Sequence, residues 1–144
     1  MIHEDTIKLL RECDAGVKMG VSSIDDVMPY VSSERLRDDL AHCRKEHVEL
    51  ALEIQNKLGK CHDDGKDPSI IAKGMSWMKT NVKLAMNESD PTVADLITDG
   101  CNMGVKTLNR YLNEYAAADE PSKDICKKLI KLEEKLAEQC HAFL

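Results

Sequence analysis

The feature that most constrains this chain is a long run in which apolar residues recur every three or four positions. It follows two serines that can cap a helix, and no proline interrupts it before Gly59. This spacing places the apolar side chains on one face of an α-helix. The pattern therefore predicts a long amphipathic helix that buries the side chains of Leu36, Leu40, Cys43, His47, Leu50 and Ile54.

Four more segments have helical periodicity, and turn residues separate them. Pro29 ends a first helix that begins near residue 4. The loop sequences "HDDGKDPS" (62–69) and "NESDPT" (87–92) enclose a shorter helix, and "DEPS" (119–122) precedes the last one. We find no strand pattern longer than a few residues, so the fold class is predicted to be all-α.

The long helices form two similar hairpins, 3–60 and 91–144, joined by a crossover over 61–90 that contains the short helix. A length of 144 residues fits one domain, 1–144. A four-helix bundle with one long crossover is the ferritin-like arrangement, in which the second and third bundle helices run parallel. By spacing, Leu36, Leu40 and Ile54 correspond to Ile125, Leu129 and Phe143.

Two glycine pairs interrupt the first and fourth helical segments, in "AGVKMGVSSI" (15–24) and "DGCNMGVKTL" (99–108). Glycine in a helix interior costs about 1 kcal/mol relative to alanine, so the pairs need a reason. If these two helices are antiparallel neighbours, the pairs meet at one height and let the backbones approach closely. We predict a packing motif made of Gly16, Met19, Gly20, Gly100, Met103 and Gly104.

The two central methionines, Met19 and Met103, point away from the apolar faces of their helices by the helical wheel. We expect the crossover helix, at roughly 69–87, to cover them with residues such as Met75, Trp77 and Met78. An exposed methionine-rich patch that binds another protein or an apolar ligand is the alternative.

The stretches "VKMGVSSIDDVMP" (17–29), "GMSWMK" (74–79), "GCNMGV" (100–105) and "KLEEK" (131–135) resemble a group of small bacterial ferritin-like four-helix-bundle proteins. The resemblance covers most of the chain. It implies the ferritin-like fold and no particular activity, because the group has no established one.

A ferritin-like di-iron site needs inward-facing carboxylates and Glu-x-x-His pairs. The candidates here are Glu138 with His141, Asp39 with His42, and Asp99. The helical wheel turns Glu138, His141, His42 and Asp99 away from the apolar faces. A di-iron oxidase is therefore the third hypothesis.

Cysteine and histidine side chains do face inward. Cys43 and His47 are four positions apart and are neighbours on one helix surface. Thiolate and imidazole ligands suit Cu(I) or Zn(II). A soft-metal or thiol-redox site built from Cys13, Cys43, His47 and Cys101 is the second hypothesis; ordinary buried cysteines are the alternative to it.

The net charge of the chain limits the classes of partner that it can bind. A net charge of -6 with no basic cluster argues against nucleic acid and anionic membranes. No signal-peptide pattern is present and six widely spaced cysteines suit a reducing compartment, so we expect a cytoplasmic protein. The first hypothesis is a non-catalytic binding or self-associating module, with a homo-oligomer or another protein as its partner.

Overall fold

The computed structural model describes residues 4–61, 63, 65 and 89–144, and over these residues the protein is all-helical, with no strand. The predicted fold class is confirmed. The helix predicted within 69–87 lies outside the described residues. The four helices are α1 (Glu4–Val27), α2 (Glu34–Lys60), α3 (Asp90–Glu114) and α4 (Glu120–Cys140), and short 3₁₀ segments follow α1 and α4 at Met28–Tyr30 and His141–Phe143. In the described part of the chain, none of the helices is long and apolar enough to cross a membrane.

Side-chain caps fix where three of these helices begin. Ser33, Ser89 and Asp119 each accept a hydrogen bond from the backbone N–H three residues later. Pro91 and Pro121 lie in the first turns of α3 and α4. A backbone N–H in the first turn has no partner within the helix, so proline, which lacks the N–H, removes no helical hydrogen bond there. Because of these caps, α2 and α4 begin at equivalent positions of the two hairpins.

The predicted correspondence of Leu36 with Ile125 is wrong by three residues. The N-caps Ser33 and Asp119 are 86 positions apart, so Leu36 corresponds to Ser122. Ser122 is fully buried, and this register also aligns the other buried positions of the two helices. Matching the apolar residues of the two helices did not reveal this register, because Ser122 is not apolar. Phe143, predicted to continue the helix, lies in the 3₁₀ segment.

Two apolar clusters make up the core. One joins Leu9 on α1, Leu58 on α2, Leu108 on α3 and Ile125 on α4. The other joins the opposite ends of the same helices, and includes Ile24, Leu36, Val93 and Leu136. Helices α1 and α4 therefore run in one direction, and α2 and α3 run in the other.

Between the two clusters, one residue from each helix borders the contact between α2 and α4. These residues are Gly20, His47, Gly104 and Glu133. We call them the middle layer. It contains two residues without side chains and two polar ones, in a core that is otherwise made largely of aliphatic and cysteine side chains.

The turn of each hairpin is held by the first turn of a helix from the other hairpin. Asp90 of α3 accepts hydrogen bonds from the backbone N–H groups of Ser32 and Ser33, at 2.8 and 3.0 Å. At the opposite end, the Thr6 hydroxyl of α1 accepts a hydrogen bond from the Asp119 N–H at 2.8 Å, and Asp5 accepts one from Ala117. The two hairpins are thus related by an approximate two-fold axis.

Candidate functional site

A pocket with a volume of about 90 Å³ lies between α1 and α3. Each helix contributes the same pattern to its wall: glycine, methionine, glycine, a hydroxyl residue and a branched aliphatic residue. The pattern consists of Gly16, Met19, Gly20, Ser23 and Ile24 on α1 and of Gly100, Met103, Gly104, Thr107 and Leu108 on α3. The structure therefore brings all six residues of the predicted glycine–methionine motif to one site.

Two residues of the middle layer, His47 of α2 and Glu133 of α4, reach this pocket from the far side of the bundle. The His47 Nε2 atom lies 3.0 Å from Glu133 Oε1. The side chain of His47 is 1 % exposed, whereas that of Glu133 is 13 % exposed. Glu133 is therefore the member of the pair that a molecule in the pocket meets first.

The glycines make room for this pair. A methyl group on Gly20 would lie 2.7 Å from His47 Cδ2 and Nε2, which is closer than real side-chain contacts allow. A methyl group on Gly104 would lie 3.6 Å from Glu133 Oε2, an ordinary contact. The space left by Gly20 is thus filled by the imidazole ring, while the space beside Gly104 forms part of the pocket.

The hydrogen bonds of His47 determine where its protons are. Nδ1 lies 2.8 Å from the carbonyl oxygen of Cys43, which can only accept, so Nδ1 carries a hydrogen. Nε2 and Glu133 Oε1 then hold one further proton between them. Burial lowers the pKa of His47, but hydrogen bonds with Cys43 and Glu133 and the Glu133 charge outweigh burial and raise this pKa to about 10. The pair therefore keeps its proton at neutral pH, as imidazolium and carboxylate with no net charge.

The four residues of the soft-metal hypothesis do not come together. Cys13 belongs to one apolar cluster and forms a side-chain hydrogen bond with Cys126, which together with burial raises the pKa of Cys13. Cys43 and Cys101 belong to the other cluster. The expectation that Cys13 lies level with His47 is therefore wrong: Cys13 is about two turns beyond the middle layer.

Cys43 and Cys101 lie near the pair, but together with His47 they do not form a metal-binding group among the described residues. Cys43 Sγ lies 3.5 Å from His47 Nδ1, which is already bonded to the Cys43 carbonyl oxygen. Burial and the charge of Glu133 raise the pKa of Cys101 far above its usual range, so its thiol stays neutral. Within residues 4–61, 63, 65 and 89–144, no group of three or more histidine, cysteine, aspartate or glutamate side chains could hold a metal ion.

The residues considered for a di-iron site lie towards the surface. Glu138, His141, Asp99 and His42 are exposed, as the helical wheel predicts, and Asp39 is half-buried. His42 pairs with the neighbouring Glu46 over 2.6 Å. These side chains therefore do not converge on the middle of the bundle.

Sequence reasoning missed Glu133, the polar partner of His47. Both residues are the fourteenth after the N-cap of their helix, and both fall between buried aliphatic positions. A glutamate at the position that corresponds to a buried histidine is the signal that could have identified it. That signal requires the register set by the caps.

In comparisons with known proteins, no family model, curated protein or solved structure matches the chain.

Proposed function

We propose that this protein is a ferritin-like helical bundle that works as a binding module, and that its ligand is a small, largely aliphatic molecule held between α1 and α3. The observation that carries the proposal is Gly104. Alanine there would be the better helix former, and among the described residues its methyl group would meet only ordinary contacts. Glycine at this position leaves space in the pocket and makes the helix less stable than alanine would. If the site served only for packing, this empty space would not be needed.

The lining supports an apolar ligand of limited size. Methionine, isoleucine and leucine side chains form most of the wall, and methionine adapts well to ligands of irregular shape. An engineered cavity of about 150 Å³ holds benzene, so a volume of about 90 Å³ encloses roughly three or four non-hydrogen atoms. Met103 is 40 % exposed, which gives the pocket a partly open wall.

The ferritin-like arrangement is part of the proposal. Its support is that α2 and α3 run parallel and are joined by a connection long enough to return along the bundle. Six free cysteines support a reducing, cytoplasmic location. Self-association stays a prediction, which light scattering of the purified protein tests.

Methionine methyl groups offer a direct test of binding. The protein is labelled with ¹³C at its methionine methyl groups and titrated with isobutanol, whose five non-hydrogen atoms fill the pocket and extend to its partly open wall. We expect the signals of Met19 and Met103 to move in a saturable way. Gly104→Leu should abolish these shifts by filling the pocket.

The matched control is Asn102→Leu, which adds the same side chain at an exposed position of α3 that does not line the pocket. It should bind isobutanol as the wild type does. Wild-type methionine signals that do not move, or shifts that persist in Gly104→Leu, would contradict the proposed function.

A further inference from the structure

The polar groups of the pocket favour a cation. Glu12, His47 and Glu133 are the charged residues among those described in its lining, and none of the described lining residues is lysine or arginine. His47 is bonded at both ring nitrogens and almost fully buried. The carboxylates of Glu12 and Glu133 are therefore the charged groups that the pocket offers to a ligand, and that of Glu133 is the one beside His47.

We propose that the pocket binds a small aliphatic amine in its ammonium form, and that the amine displaces the proton shared by His47 and Glu133. This inference rests on the proposed function, since it names the class of ligand that the same pocket takes. The ammonium group would pair with the Glu133 carboxylate, and the aliphatic part would lie against the methionine side chains.

Charge balance is the reason for the displacement. The buried pair has no net charge while it holds its proton, and an entering ammonium ion would add an uncompensated positive charge beside the imidazolium ring. Charges at short range in a protein interior repel strongly, so the pair can accommodate one cation and not two. The His47 Nε2 proton leaves to the solvent, the ammonium ion replaces it beside Glu133, and no covalent bond to carbon or sulfur changes.

The geometry allows His47 to become neutral without losing its place. Nδ1–H keeps its hydrogen bond to the Cys43 carbonyl oxygen, and the free Nε2 can accept a hydrogen bond from the ammonium group. The ring therefore needs no rotation to exchange one cation for the other. A raised pKa for His47 means that the proton to be exchanged is present at pH 7.

The other titratable groups around the pair do not take up this role. Cys43 of α2, Cys101 of α3 and Cys140 of α4 face the same region, and burial raises the pKa values of Cys101 and Cys140. Both thiols therefore stay neutral at pH 7. On α1, Gly20 borders the pair and has no side chain, and Glu12 lines the pocket beside Tyr111.

Isothermal titration calorimetry tests the exchange with two probes of nearly the same shape, isobutylamine and isobutanol. Each is titrated at pH 7 in phosphate and in HEPES, two buffers whose ionisation enthalpies differ. An alkylamine with a pKa near that of lysine, about 10.4, enters already charged, so any buffer-dependent heat reports protons from the protein. We expect one proton released per amine bound and none per alcohol bound.

The pH dependence provides a second measurement. Release of one proton requires the affinity for isobutylamine to fall about tenfold for each unit of pH between 8 and 6. The affinity for isobutanol should stay constant over that range. His47→Gln has no proton to release, so its affinity for the amine should not depend on pH and its buffer-dependent heat should vanish.

The outcomes separate this inference from the proposed function. If isobutanol binds and isobutylamine binds no more tightly, the amine preference is wrong and the binding module stands. If the amine binds without releasing a proton, the exchange is wrong. If neither probe binds, both proposals fail. If His47→Gln does not fold, the proton release measured with isobutylamine and isobutanol on the wild-type protein still tests the exchange.

Discussion

His47 and Glu133 hold the same position in the two hairpins, and they meet across the bundle through one hydrogen bond of 3.0 Å. The approximate two-fold axis therefore pairs a base with an acid where exact symmetry would pair two identical residues. Glycine occupies the corresponding position of α1 and α3. The middle layer is stable only if each buried polar group keeps its hydrogen-bond partner. Substitutions in it should therefore change the free energy of unfolding by very different amounts.

Gly20→Ala and Gly104→Ala form the first test, because the same change is made at equivalent positions. Alanine at Gly20 forces the imidazole ring away from Glu133, and we expect a loss of about 1 to 3 kcal/mol in the free energy of unfolding. Alanine at Gly104 should gain up to about 1 kcal/mol through helix propensity. Urea denaturation followed by circular dichroism measures both.

Gly59→Ala is the control for this comparison. Among the described residues, nothing lies within 4 Å of its added methyl group, and Gly59 lies in the last turn of α2. Gly59→Ala should therefore change the free energy of unfolding through helix propensity alone. Equal losses at Gly20 and Gly104 would show that the ring does not occupy the space beside Gly20.

The pH dependence of stability is the second prediction. His47 has a pKa of about 10 in the folded protein and about 6.5 when unfolded, so its contribution is fully present below pH 6.5. Above that pH the unfolded chain loses the proton while the folded protein keeps it. The free energy of unfolding should therefore fall by up to about 1.4 kcal/mol per pH unit until the pH passes the folded pKa.

Urea denaturation from pH 6 to pH 10 measures this slope in the wild type and in two variants. His47→Gln should remove it. His42→Gln changes an exposed histidine of the same helix and should leave it in place. A wild-type slope that survives in His47→Gln would assign the proton to another group.

Much of the fold could be predicted from the sequence, because its signals are local. Ser33 and Pro121 mark helix starts through hydrogen bonds and backbone geometry that involve a few neighbouring residues. Apolar spacing gave the buried face of α2 correctly, with His47 on it. The glycine motifs of α1 and α3 both line the pocket, but only Gly20 and Gly104 lie at one height, because Gly16 lies against Leu108 of α3.

The candidate site could be predicted only in part, because its key contact is not local. Glu133 lies 86 positions from His47, and it becomes recognisable only when the two hairpins are aligned by their caps. An alignment by aliphatic residues fails there, since buried Ser122 and Cys126 of α4 replace Leu36 and Leu40 of α2. Cys13 was misplaced for a related reason: a helical wheel gives direction around the axis and not height along it.

The contacts that hold each hairpin turn lead to the third prediction. Asp90→Ala removes the acceptor for two backbone N–H groups, and we expect a loss of about 1 to 2 kcal/mol in the free energy of unfolding. Thr6→Val keeps the shape of the buried Thr6 side chain but removes the acceptor for the Asp119 N–H, and should cost about 1 kcal/mol.

The two sites lie at opposite ends of the bundle and share no partner, so their costs should add in the double variant within about 0.5 kcal/mol. Asp90→Asn retains one acceptor oxygen and should recover part of the loss. Chemical denaturation of the wild type and the four variants measures these differences. No loss in Asp90→Ala would mean that the contact with the turn is not formed in solution.

Thiol reactivity is the fourth prediction, and it tests the burial of the core directly. Cys61 is half-buried at the end of α2, whereas Cys13, Cys43, Cys101, Cys126 and Cys140 are buried. An exposed thiolate attacks the disulfide bond of a reagent and displaces one of its thiolates, whereas burial raises the pKa of the Cys140 thiol to about 12. At pH 8 in excess 5,5′-dithiobis(2-nitrobenzoate), we expect one thiol to react quickly and five to react only as the protein unfolds. Cys61→Ser should lose the fast phase alone, and a fast phase that persists in this variant would show that a core cysteine reaches solvent.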